Sequence, residues 1–198
     1  MDLTMFGAMF AGVAFFFGFP AFAASVLENG LGLEHPWGQW MEGGIRLALL
    51  AGYLGLVGLV PEIRRVYGYH GAEHMSIHAL EAGAPLDPPS VARFPPEHPR
   101  CGTSFLLTLV VLSIVIFTAI GPLPLGIRIA SRIVLIPVLA ALAYEYIRLL
   151  ARVADRWWGR LLLAPNLALQ RLTTRRPEPA MIEVALAALD AVRRAESA

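Results

Sequence analysis

A histidine-rich segment holds the residues of this chain that are best suited to chemistry. It contains the pattern His70-Gly71-Ala72-Glu73-His74. On a helix, His70 and His74 would lie one turn apart and point the same way. Two such imidazoles can chelate one zinc ion, and a neighbouring carboxylate can then act as an acid or base on water. The spacing therefore predicts a divalent-metal site with Glu73 as the catalytic residue.

A third histidine, His78, continues the same helical face, but helix geometry limits which residues can share an ion. His70 and His78 would be separated by about 12 Å of helical rise. Imidazole nitrogens bind zinc at about 2.0–2.1 Å. One ion can therefore be shared by His70 and His74, or by His74 and His78. We favour the first pair because Glu73 lies beside it.

A second motif, His98-Pro99-Arg100-Cys101, could supply the remaining ligands. It follows a proline-rich loop that could fold back towards the histidines. Three histidines, or two histidines with a cysteine, make a reasonable zinc site, and cysteine is also compatible with iron. We predict His70, His74, His98 and Cys101 as metal ligands, with zinc preferred over iron. The alternative is a solvated histidine pair beside a buried structural thiol.

Composition indicates that these motifs belong to a membrane protein. Of 198 residues, 57% are hydrophobic and 16% are charged, whereas soluble domains average about 25% charged residues. This argues against a soluble enzyme and against a disordered chain. The net charge of +1 produces no field that attracts nucleic acid, so we expect no such partner. All basic residues are arginine, which excludes Schiff-base and P-loop lysine chemistry.

Four apolar stretches are long enough to cross a bilayer, which requires about 20 residues each. They are residues 5–27, 43–61, 102–126 and 129–150. Arg46 is close enough to the end of the second stretch to snorkel to the surface, and Pro137 should kink the fourth. We expect an all-α polytopic membrane protein with four transmembrane helices, a cytoplasmic His/Cys loop and amphipathic C-terminal helices. The expected domains are a transmembrane domain, 1–150, which includes the loop 62–101, and a cytoplasmic tail, 151–198.

The distribution of arginine orients these spans. The connection 28–42 contains no arginine, the connection 62–101 contains four, and the tail after residue 150 contains eight. Because positive residues stay in the cytoplasm, we expect a multi-pass protein of the cytoplasmic (inner) membrane with both termini cytoplasmic. Tryptophan, leucine and arginine in the tail suit contact with the lipid bilayer. The last amphipathic helix could pack on its own chain, on a second copy in a homo-oligomer, or on a membrane protein partner.

Both motifs are similar to signatures of the YqhQ-like membrane proteins, a family described as predicted metal-dependent enzymes. The matching strings are 69–74 and 98–105, and the resemblance continues through residues 131–132, 137, 144–145 and 169–175. It implies a multi-span membrane protein with presumed ligands His70, His74, His98 and Cys101, and with Glu73 as acid or base. Similar proteins usually begin with a GGQAVMEGVM-like glycine-rich segment, which we expect to be lacking here. Met75 also stands where a lysine is expected.

One more carboxylate, Glu145, lies near the end of the fourth predicted span. Charged residues inside membranes are costly and often mark functional sites. Glu145 could therefore join the metal site. An ion pair with Arg148 or Arg132 would instead make it structural.

Three functions are compatible with these residues. The first is a membrane-embedded metal-dependent enzyme, such as a hydrolase acting on lipid or peptide at the cytoplasmic membrane interface. The second is a non-enzymatic scaffold, assembly or lipid-handling module with a structural His/Cys metal or polar cluster. The third is a haem or iron redox protein, although the chain contains no C-x-x-C-H attachment motif for c-type haem.

Overall fold

The described part of the chain is all-α, as the sequence predicts. A computed structural model describes residues 3–32, 37–154 and 156–197, and contains no strand among them. The chain divides into two compact units, Met1–Gly52 with Phe105–Leu149 and Tyr53–Ser104 with Leu150–Ala198. We describe each unit by itself. The predicted division into a transmembrane domain and a tail at residue 150 stays a prediction.

The described helices have the following bounds in chain order. They are α1 (Leu3–Val13), a π-helical segment (Ala14–Gly18), α2 (Phe19–Leu31), α3 (Trp37–Val57), α4 (Pro61–Glu81), α5 (Pro88–Val91), α6 (Gly102–Ile120), α7 (Leu125–Val134), α8 (Ile136–Arg152), α9 (Trp157–Gln170) and α10 (Pro179–Glu196).

Several of these helices are long and apolar enough to cross a membrane, which indicates a membrane protein. The stretch Thr4–Leu31 and helix α6 meet this condition alone, and the pairs α3 with α4 and α7 with α8 meet it only together. Each pair is bent at a short break. The described residues therefore contain two to four candidate spans, so the number four stays a prediction, as do the particular membrane and its orientation. Within the pair of α3 and α4, α4 is the polar helix, since it carries many charged and histidine residues.

The breaks follow from local sequence. Pro61 occupies the first turn of α4, and the preceding Val60 has an extended backbone, since a residue before proline disfavours the helical conformation. The α7–α8 pair bends by 49°, beside Pro137, which has no N–H for the helical ladder. The kink predicted at Pro137 is thus present as a break between two helices.

A buried ionic network occupies the interior of the first unit. Glu42 accepts hydrogen bonds from Arg46 at 2.8 Å, from Arg128 at 2.9 Å and from Arg132 at 2.8 Å. Arg132 also donates to the side-chain oxygen of Gln39 at 2.7 Å. Arg46 and Arg132 are only 2% and 1% exposed. The prediction that Arg46 snorkels to the surface is therefore wrong, because a carboxylate inside the unit compensates its charge.

Glu145 lies outside this network. Its carboxylate is 3.5 Å from Arg148, and both side chains are more than half exposed. Arg132, the alternative partner proposed from the sequence, instead pairs with Glu42. Glu145 thus forms an exposed ion pair within one helical turn, which is the structural alternative expected from the sequence.

The second unit positions α4 by packing it against α10. Met181, on α10, reaches Gly68 so closely that a Cβ atom at Gly68 would lie 2.8 Å from the Met181 sulfur. A Cβ at Gly71 would lie 2.1 Å from the carbonyl oxygen of Arg175. The amide of Arg175 donates to the carbonyl oxygen of Tyr67 at 3.0 Å. The segment between α9 and α10 therefore runs directly along α4, which requires glycine at position 71.

The hydrophobic core of the second unit combines residues of α4, α5 and α10. Its fully or nearly buried apolar members are Ala72, Met75, Ala79, Val91, Met181 and Ile182. Since Met181 and Ile182 lie on α10, the beginning of that helix packs on its own chain, whereas Val184 and Val192 of the same helix are more than half exposed. Met75, which stands where a lysine was expected, is a core residue here.

Candidate metal centre

Three of the four predicted ligands lie together at one point of the second unit. The rings of His70 and His74 face each other with centroids 4.3 Å apart, as the one-turn spacing on α4 requires. Cys101, in the turn before α6, places its Sγ 3.3 Å from Nε2 of His70. One donor atom from each of the three residues lies within 4.8 Å of the other two. We call His70, His74 and Cys101 the first triad.

His98 belongs to a neighbouring group with His78 and Glu81, which we call the second triad. Its ring centroid is 4.5 Å from that of His78 and 5.8 Å from that of His74. Both of its ring nitrogens have protein partners. Nδ1 accepts from the amide of Arg100 at 3.2 Å, and Nε2 lies 3.3 Å from the Glu81 carboxylate, to which it donates.

Backbone carbonyl groups orient the histidines of the first triad. Nδ1 of His70 donates to the carbonyl oxygen of Thr173 at 2.9 Å, and Nδ1 of His74 donates to that of Pro96 at 2.6 Å. A carbonyl oxygen can only accept, so each Nδ1 carries the proton and the lone pair of the neutral ring is on Nε2. Metal-binding histidines are commonly held in this way. Both Nε2 atoms are thus set up to bind an ion.

The charge state of Cys101 suits the same role. Burial raises the pKa of its thiol, but hydrogen bonds with His70, His74 and Thr103 outweigh burial and lower the pKa to about 5. The hydrogen bond with Cys101 in turn raises the pKa of His70 above its ordinary value, against the effect of burial, because a protonated Nε2 can donate to the thiolate. An ion bound by Nε2 would take the place of that proton. At neutral pH the thiolate form of Cys101 therefore dominates, and the thiolate is the form that binds metals.

The pKa of His98 is shifted in the opposite direction to that of His70. Burial is the main cause that lowers its pKa, and the neighbouring His78 lowers it further, although Glu81 opposes both. His98 is therefore neutral at pH 7, which agrees with its Nε2–H donating to Glu81.

Gln170, the last residue of α9, fixes the segment that carries Cys101. It is fully buried. Its side-chain oxygen accepts from the amide of His98 at 2.8 Å, and its nitrogen donates to the carbonyl oxygen of His98 at 2.8 Å and to Oγ of Ser104 at 2.6 Å. Gln170 was not among the residues predicted for the site. The only signal for it in the sequence was its position inside the matching string 169–175.

The first triad opens into a cavity of about 250 Å³. Glu73 is exposed and forms part of the wall beside the two histidines. The other lining residues are Ile77, His98, Arg100 and Gly102, together with the triad itself. The predicted catalytic carboxylate thus lines the same cavity as all four predicted ligands, three of which form the first triad.

These features define an all-α protein with candidate membrane helices and a His/Cys cluster of metal-binding geometry. The chain belongs to the family described as "Protein of unknown function (DUF1385)", which matches residues 1–195. This confirms the resemblance found in the sequence.

A curated relative supports the same assignment. The chain is 34% identical over 157 residues to "Uncharacterized protein YqhQ" of Bacillus subtilis (strain 168). The match covers 79% of this chain and 49% of that protein, so the chain spans about half the length of this relative. No solved structure matches the chain significantly.

Proposed function

We propose that the chain is a membrane-embedded metal-dependent enzyme whose ion is held by His70, His74 and Cys101. The observation that carries this proposal is the convergence of three donor atoms within 4.8 Å of one another. Two imidazoles and one thiolate are ligands that zinc prefers, and iron is the other metal that this donor set suits. Zinc is therefore the proposed cofactor and iron the second candidate.

The number of ligands favours a catalytic over a structural ion. Structural zinc sites are closed by four protein ligands, whereas catalytic sites have three and keep one position open. His98 does not complete the set, because Glu81 and the amide of Arg100 occupy its two nitrogens. The three ligands line the same cavity as Glu73, so the residues that would hold the ion and the carboxylate that would act on water share one opening. This arrangement supports hydrolysis of an ester or amide bond.

Within that reaction, the residues of the chain would move the proton. When bound, zinc supplies a Lewis acid and activates water at neutral pH. Glu73 would accept a proton from the attacking water and return it to the leaving group. The carbonyl groups of Thr173 and Pro96 would keep both imidazoles in the required tautomer throughout.

The proposed substrate is a lipid or a peptide at the cytoplasmic membrane surface. Cys101 directly precedes α6, which is apolar enough to span a membrane, so the cavity opens next to the start of a candidate span. On α9, Trp157 and Leu161 are largely exposed, and tryptophan favours the bilayer interface. The distribution of arginine supports the cytoplasmic side of the inner membrane, with both termini cytoplasmic.

The second candidate is a non-enzymatic scaffold, assembly or lipid-handling module in which the ion is structural. The exposed apolar residues on α9 favour it, since they could contact the lipid bilayer, a second copy or a membrane protein partner.

Glu73→Gln separates the two candidates. The full chain, reconstituted in lipid bilayers, is incubated with membrane lipids and peptides, and products are identified by mass spectrometry. For an enzyme, this substitution should lower product formation by roughly 10²–10⁴-fold, the usual contribution of a general base, while the metal content stays unchanged. His74→Ala should abolish both.

Two other results would count against this reaction. Unchanged product formation in Glu73→Gln would remove this residue from the reaction. Retained metal without any product in the wild-type chain would favour the structural module.

A further inference from the structure

A second and larger cavity, of about 500 Å³, opens at the start of α4. Its walls come from the first turns of α4, from the segment that leads into α10 and from the first turn of α10. The lining residues are Pro61, Arg64, Arg65, Gly68, Arg175, Arg176, Glu178 and Met181. None of them lines the cavity of the metal centre.

The two cavities lie on different sides of α4. Helical residues advance by about 100° each, so Gly68 and His70 point in directions roughly 160° apart. Gly68 faces Met181, whereas His70 faces Thr173 and Cys101. The larger cavity is therefore a separate site that the proposed reaction does not use.

Positive charge dominates this second cavity. It contains four arginines and one acid, Glu178, which leaves a surplus of three positive charges. None of the four arginines forms an ion pair with a described residue. Among the described residues, the guanidinium group of Arg175 donates to the carbonyl oxygen of Gly58, at 3.5 Å. Four like charges around one cavity repel one another, and an anion bound among them would relieve that repulsion.

The chemistry of guanidinium groups selects the anion. Arginine presents a planar fork of donors that matches phosphate oxygens in pairs. The amino end of α4 begins at Pro61, inside the cavity, and adds the positive end of a 21-residue helix. Just before it, Leu56 and Leu59 are about 70% exposed, which suits a position beside lipid.

From this combination we infer that the cavity binds a phosphoryl group, with Arg64, Arg65, Arg175 and Arg176 as its ligands. The group could be the headgroup phosphate of an anionic lipid or the phosphate of a small soluble molecule. Both sources present the same oxygens to the four guanidinium groups.

The test compares two double variants of the full chain that lose the same charge. Arg64→Gln/Arg65→Gln changes the cavity, and Arg193→Gln/Arg194→Gln changes exposed arginines at the end of α10 that do not line it. In one arm, inorganic phosphate is titrated calorimetrically into protein in phosphatidylcholine nanodiscs. In the other, nanodiscs contain either phosphatidic acid or oleate at equal negative charge, and retained lipid is measured by native mass spectrometry.

We expect phosphate or phosphatidic acid to bind, and Arg64→Gln/Arg65→Gln to weaken that binding by roughly tenfold or more. The control variant should leave it unchanged. Binding in the first arm identifies a soluble source, and binding in the second arm alone identifies a lipid source. The inference is overturned if the wild-type chain binds neither probe, if oleate is retained as well as phosphatidic acid, or if both variants weaken binding equally.

Discussion

Glu42→Gln should strongly destabilise the first unit. The substitution preserves shape but removes the negative charge that Arg46, Arg128 and Arg132 share. Glu28 would remain as a partner of Arg128 only. Two guanidinium groups that are 2% exposed or less would then lack a carboxylate, and breaking a buried ion pair costs about 3–5 kcal/mol.

Thermal unfolding of the purified chain in detergent measures this effect. For a protein of this size, such a loss corresponds to a fall in Tm of roughly 6–20 °C. The matched control is Glu145→Gln, which removes the same charge from a surface ion pair in which both side chains are more than half exposed. Because exposed pairs contribute about 0–1 kcal/mol, its Tm should hardly change. Equal Tm values for the two variants would show that Glu42 does not hold the network together.

Removing a residue of the first triad should abolish metal binding. His70→Ala, His74→Ala and the nearly isosteric Cys101→Ser each leave two of three protein ligands. Since loss of a residue that merely supports a ligand costs about 10–100-fold in metal affinity, loss of a ligand should cost more than about 100-fold. Elemental analysis of the full chain, purified without added metal, should find about one ion per wild-type chain and almost none in these variants.

The control for this experiment is His78→Ala. His78 lies on the same helix, one turn beyond His74, but belongs to the second triad. This variant should keep its metal. If His78→Ala loses the ion while Cys101→Ser retains it, the ion occupies the second triad, and the assignment of the first triad is wrong.

The helical pair at the candidate site could be predicted because its geometry is local. A spacing of four residues on α4 is enough to bring His70 and His74 together. Cys101 could be predicted only because a thiolate is a suitable ligand beside two imidazoles. Its position could not be predicted, since it depends on the path of the long loop between α4 and α6. The position of His98 was not predictable, because it depends on Gln170, 72 residues away, and on the contact with Glu81.

The ionic network shows the same limit in the first unit. The pairs Glu42 with Arg46 and Arg128 with Arg132 are each four residues apart, which is a visible helical pattern. No local pattern in the sequence shows that these two pairs, which are far apart along the chain, contact one another. Hydropathy therefore placed the start of the second span at Gly43, whereas α3 already begins at Trp37 and includes Gln39 and Glu42. Polar residues are tolerated there because the arginines compensate them.

X-ray absorption spectroscopy at the edge of the bound metal tests the central claim most directly. The claim is that α4 and the segment before α6 bind one cation together. For zinc in the wild-type chain we expect one sulfur at about 2.3 Å and two imidazole nitrogens at about 2.0–2.1 Å. The sulfur should disappear in Cys101→Ser if any ion remains. A shell of nitrogen and oxygen without sulfur, or a wild-type chain without metal, would contradict the claim.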